Sequence, residues 1–175
     1  MLSSTFARRA LALALLGLAS VPAAAARLEI QGGRSYMDSY GTNVGFLELT
    51  AGERQLGHSN FTWSADFSLG YINGRDIARY RNTHYGTTDD VKLFAGGVRF
   101  QYGDDEDWYH GFFWSPQVAV LSGKTIALSS SGEFVNTIGY QFQHWSLQVR
   151  HISNAGIHDP NRGETMALVG IGFNL

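Results

Sequence analysis

The sequence predicts an all-β chain closed into an eight-stranded antiparallel transmembrane β-barrel. Three observations carry that expectation. Apolar residues recur at period two, and no helix-period segment of useful length follows Arg27. Eight alternating stretches follow one another, most of them about 9–11 residues long, the span that a tilted membrane strand needs. The polar parity carries small uncharged Ser, Thr, Gln and Gly, where a water-facing strand usually carries Lys and Glu. A soluble sandwich or lipocalin-like barrel also alternates, but turns its aromatic face inward. Aromatic residues near strand ends, among them Tyr36, Phe61, Tyr102, Phe112, Trp145 and Phe173, suit the interfacial girdles of a membrane barrel.

Taken in order, residues 1–26 read as a secretory signal to be removed. Arg8 and Arg9 form its basic start. The apolar run 10–18 is too short to span a bilayer, and Ala23 to Ala26 offer an Ala-x-Ala cleavage site. Residues 27–175 then form a single barrel domain. Its strands are expected at 28–36, 44–53, 61–72, 91–102, 112–121, 133–142, 145–153 and 165–173. The third is the clearest: Phe61, Trp63, Ala65, Phe67, Leu69 and Tyr71 share one face, and Thr62, Ser64, Asp66, Ser68 and Gly70 the other. Gly103-Asp104-Asp105, Ser129-Ser130-Ser131-Gly132 and the stretch 156–163 supply turn residues between strands. The last strand alternates Ala167, Val169, Ile171, Phe173 and Leu175, so the chain ends on an apolar strand. Export leaves the N-terminus periplasmic. Connections after strands one, three, five and seven then face outward, including 73–90 and 154–164, while 54–60, 103–111 and 143–144 face the periplasm.

Composition removes several function classes. The chain has 175 residues, 44% hydrophobic and 16% charged, which argues against disorder. It has no Cys, which excludes a disulfide scaffold and a thiolate metal site. Its formal net charge of -2 provides no basic footprint for nucleic acid. The mean hydropathy of -0.13 has a soluble look, but alternation cancels in such an average.

Chemistry concentrates between Trp145 and Glu164. Strand seven sets Trp145, Leu147, Val149, His151 and Ser153 on the parity expected to face lipid. His151 and Ser153 stand two residues apart at its outer end, about 7 Å between side-chain origins, within reach of a hydrogen bond. A polar pair on a lipid face is costly unless it is used. A serine hydroxyl needs an adjacent base, and that base needs a third group to orient it. Read as a bare pair, His-x-Ser is a weak motif that more often marks rim residues of a non-catalytic barrel, and only its placement raises it.

The run His151-Ile152-Ser153-Asn154-Ala155-Gly156 resembles the hallmark of the lipid A 3-O-deacylases of the PagL type. Pro160-Asn161-Arg162-Gly163-Glu164, placed before a final strand, fits the same pattern. The resemblance is strongest over residues 133–175. It implies an outer-membrane serine esterase removing the 3-O-linked acyl chain of lipid A, with its active site toward the outer leaflet. It implies Ser153 as nucleophile, His151 as general base, Glu164 as the acid orienting His151, and Asn154 with the backbone N–H of Gly156 as oxyanion hole. No cofactor and no metal are implied. Lipid A or lipopolysaccharide is the implied partner, within outer-membrane lipid, and a homodimer is left open. One departure stands out. The family acid falls one residue beyond Glu164, and alternation back from Phe173 likewise sets Thr165, not Glu164, on the lipid face. A bulge would re-aim Glu164, and Asp159 is the fallback acid.

Two rivals remain at this level: a structural or adhesive barrel, and an outer-membrane acyltransferase. Among other features, His158 near Asp159 suggests loop decoration before metal binding. The acidic run Asp104 to Asp107 suggests a solvated turn before calcium. Arg75, Arg79, Arg81 and Arg162 suit either lipid A phosphates or plain surface charge. Asp66, Lys92, Arg99 and Gln117 belong to a polar interior too narrow for a channel.

Overall fold

A computed structural model describes residues 26–104 and 106–175. The expected leader up to residue 25, and Asp105 of the acidic run, lie outside the described residues. Eight strands follow in order: β1 (Arg27–Met37), β2 (Tyr40–Gln55), β3 (Phe61–Ile72), β4 (Val91–Tyr102), β5 (Phe112–Ser122), β6 (Gly132–Gln141), β7 (Trp145–Ser153) and β8 (Glu164–Asn174). Each pairs antiparallel with the next, and β1 pairs with β8, so the sheet closes into a barrel. Short 3-10 turns occupy Ala78–Tyr80 and Trp108–Gly111.

Strands β3, β4 and β7 coincide with the sequence expectation. Strand β2 is longer at both ends. It pairs with β1 up to Met37↔Tyr40 across a two-residue turn. At its other end a bulge between Ala51 and Arg54 admits an extra residue, with Gly52 at φ 73, and pairing resumes. The strand end expected after Glu53 is therefore a bend inside a strand that continues to Gln55.

Period-two alternation sends polar side chains into the barrel's middle and apolar ones outside. Inside, Glu48 receives the guanidinium groups of both Arg99 and Arg150. Arg99 also donates to Asp66 at 3.2 Å, and Asp66 accepts Ser115 Oγ at 2.7 Å. Nearer the chain termini, Glu29 accepts Ser146 Oγ at 2.6 Å and Gln148 Nε2 at 2.8 Å. Arg99 lies 3.9 Å from the Phe113 ring centroid and Arg150 4.4 Å from that of Phe46, so apolar faces complete both cation sites. Charges this deep persist only when paired.

Toward the opposite end the interior turns apolar. Met37, Val91, Ile152, Met166 and Leu168 meet Ile77 and Tyr80 from the 73–90 connection and residues 126–128 from the 123–131 connection. Side chains thus fill the bore at mid-height and loops close its mouth, as a narrow eight-stranded barrel allows.

The outer face presents Ile30, Leu69, Val118, Val120, Ile138, Val149 and Ile171, all exposed. Phe112, Tyr140, Phe142 and Trp145 form a continuous aromatic run, with ring centroids 4.7, 4.6 and 3.8 Å apart. An apolar belt of this extent, edged by aromatics, is the surface of a lipid-embedded barrel rather than of a soluble one. Glu48→Ala should leave two buried guanidinium groups without their shared carboxylate and cost about 3–5 kcal/mol. The urea midpoint of the barrel folded in detergent micelles measures this, and Glu48→Asp should restore part of the loss.

Candidate functional site

The residues singled out by the sequence lie at the loop-capped end of β7 and β8. In β7, Ser146, Gln148, Arg150 and Ile152 point inward and are buried, while Leu147, Val149 and His151 are exposed. His151 and half-buried Ser153 share that outward parity. Across the sheet His151 faces Asn136 of β6 and Thr165 of β8, and Ser153 faces Phe134.

The imidazole is fixed on one side. His151 Nδ1 lies 2.9 Å from Thr165 Oγ1. On its other edge stands Gly163, at φ 70, where an added Cβ would fall 2.8 Å from His151 Cε1 and 3.3 Å from Nε2. Gly163 thus meets two demands, left-handed backbone and room for the ring. Ile152↔Glu164 is the last pair of the β7–β8 ladder, and Gly163, just before it, lies against the Cε1–Nε2 edge of the ring. His151 and Ser153 are not hydrogen-bonded to each other, and in substrate-free enzymes such pairs often tighten only on binding.

Glu164 is elsewhere. The β7–β8 ladder runs without a bulge from Trp145↔Ile171 to Ile152↔Glu164, so alternation holds and Glu164 points into the barrel. There it is buried, accepts Ser35 Oγ at 2.5 Å and pairs with Arg75. The structure does not bring it to His151; Thr165 occupies that place. Asp159 is exposed in the 154–163 connection and makes no hydrogen bond to His151 among the described residues.

Asn154 and Gly156 come together, but on each other. Asn154 Oδ1 accepts the Gly156 N–H at 3.0 Å and the His158 N–H at 3.4 Å, and Nδ2 donates to the His158 carbonyl at 2.8 Å. Asn161 Oδ1 accepts the Asn154 N–H at 3.2 Å. With Ala155 at φ 55 and Gly156 at φ 78, this buried amide builds the turn that follows Ser153. The Gly156 N–H is therefore engaged, and the second hydrogen of Asn154 Nδ2 is the donor left over. His158 Nδ1 stands 3.0 Å from Ser129 Oγ, fastening this connection to its neighbour.

Three of the four loop arginines have intramolecular carboxylates. Arg75 pairs with Glu164, Arg81 with Asp76 and Arg162 with Asp38. The last is a latch that sequence reasoning missed, because Asp38 sits in a turn more than a hundred residues away. Asp38 Oδ2 accepts Arg162 at 2.8 and 3.1 Å and the Tyr80 hydroxyl at 3.1 Å, joining three connections over the mouth.

Two grooves run down the outer wall, one over β4 to β6 and the other across β6, β7, β8 and β1. The first, of 490 Å³, passes Gly96, Gly97, Pro116, Val118 and Phe134 and ends at Ser153 and Ala155. The second, of 610 Å³, is lined at its loop end by Arg34 and Tyr36. Small residues make both possible: a strand without side-chain bulk leaves a channel in the wall.

Fold and site together define a small membrane-type β-barrel with an imidazole–hydroxyl pair on its outer wall at the head of an apolar groove. A family model described as lipid A 3-O-deacylase (PagL) matches residues 118–174. That segment holds His151, Ser153, Asn154, Gly156, Glu164 and Thr165. Among solved structures, the chain is similar to the crystal structure of the outer membrane enzyme PagL, at 19% identity and a TM-score of 0.53, covering 84% of this chain and 98% of that one. The backbone structure of the Yersinia pestis outer membrane protein Ail in a phospholipid bilayer nanodisc gives 13% identity and a TM-score of 0.44, covering 84% and 99%. Among curated proteins none matches. The resemblance read from residues 151–156 is thus supported by the family model and, for the fold, by the PagL crystal structure. A homodimer finds no support in these comparisons.

The Arg162 hydrogen bond is the largest cause holding the Asp38 carboxyl below its ordinary range. The latch should therefore be complete above about pH 4, the ordinary carboxylate value, and be lost as pH falls through the lowered folded value. Asp38→Asn should increase hydrogen exchange in residues 154–163 at neutral pH, and the unsubstituted chain should approach that rate only under acid.

Proposed function

We propose that the chain is an outer-membrane esterase that removes the 3-O-linked acyl chain of lipid A, with Ser153 as nucleophile and His151 as general base. The observation that carries this reading is the outward-facing His151–Ser153 pair, its imidazole tied to Thr165 and its serine at the head of an apolar groove. The match to the deacylase model over the same segment supplies the substrate class. In this reading residues 1–26 are the export leader, residues 27–175 the mature barrel, and the site faces the outer leaflet.

Ser153 Oγ attacks the ester carbonyl while His151 Nε2 takes its proton. Nδ1–H donates to Thr165 Oγ1, which keeps Nε2 free to act as base. The tetrahedral oxyanion takes the second hydrogen of Asn154 Nδ2. His151 then returns its proton to the departing sugar oxygen, and water, activated by the same base, releases the fatty acid. A lipid-facing site suits this chemistry because the acyl chain need not leave the bilayer. Thr165 is a positioning residue. It fixes the tautomer but, being neutral, does not offset the imidazolium charge as a carboxylate would.

Mass spectrometry of lipid A from cells with and without the chain tests the reading. Loss of one hydroxyacyl chain is expected. Gain of a chain would instead indicate a transferase, and no change a structural barrel. Ser153→Ala and His151→Asn should abolish the loss while the barrel still folds. Thr165→Ala should lower kcat about tenfold, the worth of one hydrogen bond, with little change in KM. Thr165→Glu should restore or exceed the original rate, and Gly163→Ala should lower it by displacing the ring.

A further inference from the structure

We propose that Arg34 anchors the phosphate of a multiply acylated lipid, and that the groove beneath it holds an acyl chain of that molecule other than the one cleaved at Ser153. This rests on the deacylase reading for the cleaved chain only.

Arg34 is an outer-wall cation without a carboxylate partner; Lys92, expected in the interior, also turns outward on β4, but it lies near Asp90. Arg34 lies on the outward parity of β1, between Gly32 and Tyr36, where a cation is costly without an anion or access to the interface. Arg27, Arg75, Arg81, Arg99, Arg150 and Arg162 each pair with a carboxylate. Arg34 instead donates to a neutral acceptor, Asn43 Oδ1, at 2.6 Å. Its side chain also climbs. A Cβ added at Gly41 would lie 2.9 Å from Arg34 Nη2, and Gly41 is the register partner of Tyr36, nearer the loop end. The guanidinium thus snorkels toward the interface, with Nη2 laid over a residue that has no side chain. Tyr36 in turn stands opposite Thr165, the residue bonded to His151.

Below Arg34 the groove is apolar: Gly32, Leu147, Val149, Ala167 and Val169 line it. From Tyr36 to Gly32 it follows roughly 14 Å of strand, at ~3.4 Å per residue, enough for the proximal part of one acyl chain. Gly32 opens it, since a Cβ built there meets nothing within 4 Å. A guanidinium at the interface above an apolar channel is complementary to a phosphate that carries acyl chains. The Ser153 groove runs over β4, β5 and β6 and shares no lining residue with this one, so one molecule filling both must carry at least two chains. That selects a multiply acylated phospho-lipid over a single-chain amphiphile.

The test measures binding and needs no catalysis. Ser153→Ala barrel in zwitterionic detergent micelles is titrated with fluorescently labelled phosphorylated lipid A and with the same lipid after removal of its phosphates. Adding Arg34→Gln should weaken the phosphorylated lipid about tenfold or more, the worth of a charge-assisted hydrogen bond, and leave the dephosphorylated lipid unchanged. Adding Gly32→Phe, whose Cβ has open space and whose ring would occupy the groove, should weaken both. Millimolar inorganic phosphate should compete poorly, because it lacks the chain. Equal affinities with and without Arg34, or equal weakening of both lipids by Arg34→Gln, would overturn the anchor. Full binding to the Gly32→Phe barrel, or full competition by inorganic phosphate, would overturn the acyl groove. Absence of deacylation by the unsubstituted chain would sink the functional reading and leave this binding result standing.

Discussion

Closure of the sheet is the constraint on which everything else here depends. In a closed antiparallel barrel each strand residue is committed either to the bore or to the wall, and a change of side needs a bulge. The β2–β3 pair has such a bulge at Ala51/Arg54, far from the site. The β7–β8 pair has none. His151, Ser153 and Thr165 are therefore held on the wall together, and Glu164, adjacent in sequence to Thr165, is held inside with Arg75 and Ser35. The composition of the site follows from parity before any local preference of the side chains.

That constraint also explains which features were legible in the sequence. Alternation is local, so β3, β4 and β7 could be read to the residue, and the placement of Thr165 followed from counting back from Phe173. The end of β2, expected at Glu53, could not, because pairing resumes at Arg54 and Gln55 only through a bulge against β3 that local alternation does not announce. Nor could the engagement of Asn154 and Gly156 with each other, since a short polar turn and an oxyanion hole draw on the same residue types. Long-range pairs left no local trace at all. Asp38 with Arg162 and Glu164 with Arg75 join segments that are distant in sequence, and only closure brings them together.

The interior supports the site indirectly. Paired charges around Glu48 fill mid-height, and an apolar plug with folded-in loops seals the mouth directly behind β7 and β8. Ile152 and Met166, on the inner parity, pack into that plug beside His151 and Thr165 on the outer one. A His151–Thr165 hydrogen bond on a packed wall is better fixed than one on a free loop, and this is the support that a surface catalytic pair requires. The loop latch through Asp38 adds a second restraint to the segment that carries Asn154 and Gly163.

The central claim is that Ser153 is a nucleophile activated by His151 on the lipid-facing wall. Covalent trapping tests it most directly. The folded barrel in micelles is treated with a long-chain alkyl fluorophosphonate, digested and mapped by mass spectrometry. A single phosphonylated peptide carrying the adduct on Ser153 is expected, with labelling abolished by His151→Asn and slowed by Thr165→Ala. An unlabelled Ser153, or labelling that proceeds at full rate without His151, would contradict it.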